Sequence, residues 1–122
     1  MNKKEFRIGN LMQDIYSNII LKVDELTETH IVYYVIDRSK YPLQKGWQAG
    51  PIPLTKEILI KAGFEEYENI YELRIGGCCF VFYIYSDAIE FYIEGIGVDV
   101  KYVHQLQNLY FALTGKELEI NI

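Results

Sequence analysis

The sequence predicts an α+β fold in which short antiparallel strands, including a β-meander, are covered by two helices. Three observations carry this. Apolar and polar residues alternate with a period of two in segments such as "AIEFYIE" and "IGVDV", the mark of strands with one buried and one wet face. Two other segments, 54–64 and 102–115, carry the cap residues and spacing of helices. At 122 residues the chain reads as a single domain, 1–122, and a domain of that size buries roughly 65% of the surface its unfolded chain exposes.

The first elements are strands. "FRIGNLM" supplies one, and "NIILKVDEL" places Ile19, Leu21 and Val23 on one face. After the polar turn "TETH", the β-branched and aromatic run "IVYYVID" returns as another. These N-terminal strands can curl into a small barrel. Residues 38–53, "RSKYPLQKGWQAGPIP", hold three Pro and two Gly and read as a loop.

In "PLTKEILIKAGF" Thr55 is placed to cap a helix, Glu57 sits where the helix dipole favours an anion, and Gly63 ends it. Leu54 and Leu59 occupy the positions of a hydrophobic staple, with Ile58, Leu59 and Ala62 turned to the core. The meander follows. "NIYELRI" and "CCFVFYIY" flank the two-residue turn Gly76–Gly77. Then Ile89, Phe91 and Ile93 alternate with Glu90, Tyr92 and Glu94, and Ile96, Val98 and Val100 with Gly97 and Asp99.

A second helix is predicted over 102–114, stopped by Gly115, with Tyr102, Val103, Leu106, Leu109, Tyr110 and Leu113 as its apolar stripe. That stripe is expected to cover the sheet. His104, Asn108 and Phe111 fall on the opposite side, which places His104 outside the core. "LEINI" is expected to add an edge strand.

Composition narrows function. Half of the residues are apolar and 24% charged, an ordinary globular balance, but eleven Tyr and six Phe stand beside a single Trp. Tyrosine suits strands and interfaces, where the ring packs and the hydroxyl reaches water or a partner. A net charge of -5 disfavours duplex nucleic acid, which rewards a broad basic face. No apolar run has the length of a signal peptide or a membrane span, so a cytoplasmic protein is expected. Cys78 and Cys79 are adjacent, point to opposite faces of a strand, and read as reduced, buried packing residues.

Three segments, "RIGN", "PIPLTKEILIKAGF" and "YVHQLQNLYFALTGKEL", together resemble a group of small uncharacterised proteins encoded by phages, prophages and related elements of Bacteroidota. The resemblance covers roughly a third of the chain, the last segment being the most specific. It implies origin and architecture and supplies no catalytic residues. By analogy, an accessory phage protein that counters host defence is the role it suggests.

No nucleophile elbow, phosphate-binding loop, dinucleotide fingerprint or zinc-ligand spacing occurs, and no cofactor is implied. The one local reversal of charge lies in the loop. No acidic residue stands between Asp37 and Glu57, whereas Arg38, Lys40, Lys45 and Lys56 are basic and Tyr41 and Trp47 lie among them. Cations that pair with phosphate beside a ring that stacks on a base are what a nucleotide-like anion needs, so Arg38, Lys40, Tyr41, Lys45 and Trp47 are the candidate ligand-binding residues. The same Trp47 can instead cap the core among solvated lysines.

The leading expectation is therefore a non-enzymatic binding protein that engages a host protein or sequesters a small anionic ligand. One alternative is a metal-dependent enzyme using the acidic strand face of Glu90, Glu94 and Asp99. Another is a structural or assembly protein in which Phe111 and the tyrosine-rich strands form a contact between copies in a homo-oligomer.

Overall fold

A computed structural model describes residues 6–15, 17, 19–26, 31–35, 49–86 and 88–121. The elements, in chain order, are β1 (Leu11–Asp14), β2 (Ile20–Leu26), β3 (Ile31–Val35), β4 (Ala49–Gly50), α1 (Lys56–Lys61), β5 (Glu65–Tyr67), β6 (Ile70–Ile75), β7 (Cys78–Ile84), β8 (Ile89–Ile93), β9 (Ile96–Val98) and α2 (Val103–Thr114). The architecture is α+β, with antiparallel strands in two sheets and two helices. The chain divides into two compact units, Met1–Pro53 with Tyr102–Gly115, and Leu54–Lys101 with Lys116–Ile122. Among the described residues no helix is long and apolar enough to cross a membrane.

In the first unit the strands run in the order β3-β2-β1-β4, an open sheet with no closed barrel among the described residues. Leu11, Met12, Leu21 and Val23 form its buried apolar positions. "RIGN" is a turn that leads into β1. Gly9 takes a φ of 94°, a left-handed conformation open to glycine at little cost. The Asn10 side chain closes the turn, its Oδ1 accepting the Arg7 N–H at 2.6 Å, and Val23 donates to the Asn10 carbonyl at 2.9 Å.

Helix α2 packs on β1. Its ends fall where the sequence places them: Tyr102 is the N-cap residue and its N–H donates to Gln105 Oε1 at 3.1 Å, while Gly115, at a φ of 73°, closes the C-terminus by donating to the Phe111 carbonyl at 2.8 Å. Its buried face is not the predicted one. Val103, His104, Leu106 and Gln107 are buried, Leu109 is half-buried, and Leu113 is exposed. The face is thus turned by roughly a quarter of a revolution, given about 100° per residue. His104, expected outside the core, is 1% exposed and stacks on Phe6 with ring centroids 4.2 Å apart. The cause lies in the partner. The backbone at 9–11 presents polar groups to the helix, and Gln107 is drawn inward to meet them: Leu11 N–H donates to Gln107 Oε1 at 2.8 Å.

The second unit is a five-stranded meander in the order β5-β6-β7-β8-β9. Three of its four hairpins turn in two residues, since Tyr67 pairs with Ile70, Ile75 with Cys78 and Ile93 with Ile96, whereas β7 and β8 close at Ile84 and Ile89. Glu94 and Gly95 both have positive φ, at 50° and 80°, the twist that suits tight hairpins. Inward positions are aromatic: Tyr71, Phe82 and Phe91 lie side by side in register, with Phe80 beside them. Phe82 sits 4.4 Å from Phe91 and 5.5 Å from Phe64, ring centre to ring centre.

Helix α1 packs on β6. Thr55 caps it as predicted, accepting the Ile58 N–H at 3.3 Å, and Leu54 and Leu59 are both buried. Four expectations in this unit change. "LEINI" forms no strand over 118–121, where Leu118 is buried and Asn121 donates to the Lys61 carbonyl. β5 is an addition, hidden in the sequence by its polar composition, "EEY". Cys78 and Cys79 are free but half-buried. Ile96 and Val98 are exposed on β9, an edge strand with no neighbour beyond it in the sheet among the described residues.

Candidate functional site

The candidate site is the outer face of the meander. Strand periodicity sends alternate side chains of β5 to β8 outward: Glu65 and Tyr67, Ile70, Glu72 and Arg74, Cys79, Val81 and Tyr83, and Glu90 and Tyr92. Phenylalanine and tyrosine are sorted between the two faces of the sheet. Phe80, Phe82 and Phe91 point in, while Tyr67, Tyr83 and Tyr92 point out, where a hydroxyl keeps its hydrogen bonds. Tyr71 points inward instead. Its register partner is Glu66, and burial first, then the Glu66 carboxylate, raises its hydroxyl above the usual tyrosine range.

Two depressions mark this face. One, of about 420 Å³, is lined by Gly63, Glu65, Tyr67, Glu72, Leu73 and Arg74. The other, of about 400 Å³, is lined by Val81, Tyr83, Tyr85, Glu90, Tyr92 and Gly95. The same small motif recurs in each. The hydroxyl of Tyr67 donates to Glu65 Oε2 at 2.6 Å, and that of Tyr92 to Glu90 Oε2 at 3.1 Å. In both, the hydrogen bond to the carboxylate and its charge hold the phenol above its ordinary range. Arg74 pairs with Glu72, and its hydrogen bond draws that carboxyl below its ordinary range. Burial pushes the Cys79 thiol up, and the Glu72 charge adds to it. Tyr92 also lies across the edge strand, its Cε1 3.4 Å from where a Cβ on Gly97 would stand.

The residues singled out from the sequence fare differently. Arg38, Lys40, Tyr41, Lys45 and Trp47 lie outside the described residues. Glu90, Glu94 and Asp99 do not converge. β8 ends at Ile93, so Glu94 sits in the turn and accepts the Cys79 N–H at 2.8 Å, and Asp99 lies beyond β9, 3.8 Å from Lys101 Nζ. Among the described residues no three His, Cys, Asp or Glu side chains gather as a metal-ligand set.

The "RIGN" turn and α2, two of the three segments that carry the resemblance, meet in the first unit. Asn10 Nδ2 and Arg7 Nε both donate to Asn108 Oδ1, at 2.8 and 3.2 Å, and the Arg7 guanidinium lies 4.2 Å from the centre of the Phe111 ring. Asn10 is fully buried. These residues do structural work, fastening the helix to the turn.

Sequence reasoning missed the outer-face tyrosines as a set. The signal was present in their parity: Tyr83, Tyr85 and Tyr92 fall on the positions opposite to Phe80, Phe82 and Phe91.

Fold and site together define a small α+β protein with an open sheet face of tyrosines and glutamates. No protein family, no curated protein and no solved structure matches the chain.

Proposed function

We propose that the chain acts by binding a protein, and that the outer face of the five-stranded sheet is the recognition surface. The placement of Tyr67, Tyr83, Tyr85 and Tyr92 on or beside that face carries the reading, with Tyr67 and Tyr85 about half exposed. Tyrosine is enriched in interfaces because its ring offers a large contact area at low entropic cost and its hydroxyl tolerates water before binding. Charge specifies the partner further. Among the described residues the two depressions are lined by Glu65, Glu72 and Glu90 against one cation, Arg74, so a basic protein surface is complementary.

The resemblance to phage-encoded proteins adds that the partner belongs to the host and that the effect is accessory, counter-defence among the candidates. A second reading keeps the loop as a site for a small anionic ligand. It is favoured by the run without acidic residues between Asp37 and Glu57 in a chain of net charge -5.

The test is a comparison of variants. Host proteins retained by the wild-type chain are quantified by mass spectrometry, then titrated as purified components against wild type, against Tyr67→Ser combined with Glu65→Gln, and against Trp47→Ala. Both face substitutions fall at exposed positions and should leave the circular dichroism spectrum unchanged. A partner bound about tenfold or more weakly by the face variant, and equally well by Trp47→Ala, is the expected result. Equal binding by the face variant removes the surface, and a nucleotide-dependent change in the fluorescence of Trp47, the only tryptophan, supports the loop instead.

A further inference from the structure

We propose that the pocket between β7 and β8 receives an arginine side chain of the protein partner, an inference that rests on the binding role of this sheet face. Two walls of the pocket are already set at right angles: the rings of Tyr83 and Tyr92 meet at 85° with their centroids 5.5 Å apart. The register produces this corner. Tyr83 pairs with Glu90 and Val81 with Tyr92, so the two tyrosines are diagonal neighbours on one face, a separation that aromatic side chains can span. Tyr85, two residues further along the chain, is 45% exposed at the same pocket. Glu90 stands among the rings, and the Tyr92 hydroxyl holds its Oε2.

A cation is attracted to the faces of such rings, and a carboxylate beside them supplies the countercharge. Among the described residues no Lys or Arg lines the pocket, and an anion there would face the Glu90 carboxylate and the tyrosine rings. Guanidinium fits better than ammonium. It is flat enough to lie on a tyrosine ring while its N–H groups point in-plane to Glu90, and it sheds water more readily than a lysine head. A volume of about 400 Å³ has room for one long side chain projecting from a partner's surface.

The experiment is an NMR titration of the full chain at low salt with N-acetyl-arginine methylamide, with the lysine and citrulline counterparts, and with tetramethylammonium. Saturable shifts confined to residues 81–85 and 90–95 are expected with the arginine compound, at a Kd on the order of millimolar, appropriate to one side chain in a partly open site. Citrulline, equal in length but uncharged, should bind about tenfold more weakly. Glu90→Gln and Tyr83→Leu, with otherwise unchanged spectra, should each weaken arginine binding by about threefold or more.

Failure of the arginine compound to saturate, equal binding of citrulline, or undiminished binding by Glu90→Gln overturns the proposal. Tighter binding of lysine or tetramethylammonium overturns it in favour of a general small-cation site. The two readings separate cleanly. A partner that Tyr67→Ser with Glu65→Gln loses but Glu90→Gln and Tyr83→Leu retain leaves the binding face standing and removes the arginine pocket. An arginine titration that saturates while no partner depends on Tyr67 and Glu65 preserves the pocket's chemistry and removes the wider face.

Discussion

In the meander, neighbouring strands turn phenylalanines inward, and Phe64, Phe80, Phe82 and Phe91 close the core ring against ring. In the N-terminal unit the helix is fastened in a different way. There Gln107 accepts from a strand N–H, Asn108 takes both Asn10 and Arg7, and His104 is buried against Phe6. The difference teaches that burial and apolar pattern coincide only where the partner surface has its backbone hydrogen bonds already made. A regular sheet satisfies its own amides, so what packs on it is apolar. Where the 7–10 turn runs into β1, the Leu11 amide is left to be met, and the helix that covers this junction brings a polar side chain inside.

The comparison can be broken most forcefully in the meander. Phe82→Ala removes a side chain with no exposure and ring contacts to Phe64 and Phe91, and should cost about 3–5 kcal/mol in urea-induced unfolding. A loss under about 1 kcal/mol would mean that the aromatic cluster is not the centre of the core. On the helix side, Gln107→Leu adds apolar volume at a buried position yet strands the Leu11 N–H. It is expected to destabilise by about 1–3 kcal/mol; a variant as stable as wild type would show that the helix is held by apolar packing alone.

The smallest effect sharpens the comparison at the surface. Glu72 has its carboxyl lowered by the hydrogen bond and charge of Arg74, against a contrary push from burial. A carboxyl lowered in the folded state contributes stability above its ordinary value, and that contribution is lost as pH falls through the lowered one. Glu72→Gln should therefore flatten the fall in urea midpoint between neutral pH and about pH 3. Arg74 is mostly exposed, so the difference is small. Identical pH profiles for the two proteins would remove the pair as a contributor.

Much of the local structure was legible. Thr55 at the start of α1, Gly115 at the end of α2 and Gly76–Gly77 between β6 and β7 act within a few residues of themselves, through a cap or a turn, and all fall where the sequence places them. The meander's inward face was legible for the same kind of reason, since a period of two sets Phe80 and Phe82 against Val81 and Tyr83 whatever lies beyond the sheet. The site was half legible. Parity puts Tyr83, Tyr85 and Tyr92 together, but whether a side of the sheet stays open is decided by what the rest of the chain covers.

What the sequence by itself determined is thus both helices with their ends, the strands of the meander from β6 onward and the parity that sets phenylalanine against tyrosine within them, all consequences of short-range backbone geometry. The tertiary structure alone decided that α2 buries His104 and Gln107 and leaves Leu113 in solvent, because a helix takes its inward face from the surface it meets, here the start of β1 with the Leu11 amide to satisfy. It also decided that Glu90, Glu94 and Asp99 part company: a hairpin turn after Ile93 sends Glu94 to the Cys79 amide, and the end of β9 leaves Asp99 beside Lys101. Side chains that share a parity in the sequence stay together in space only while the strand beneath them continues.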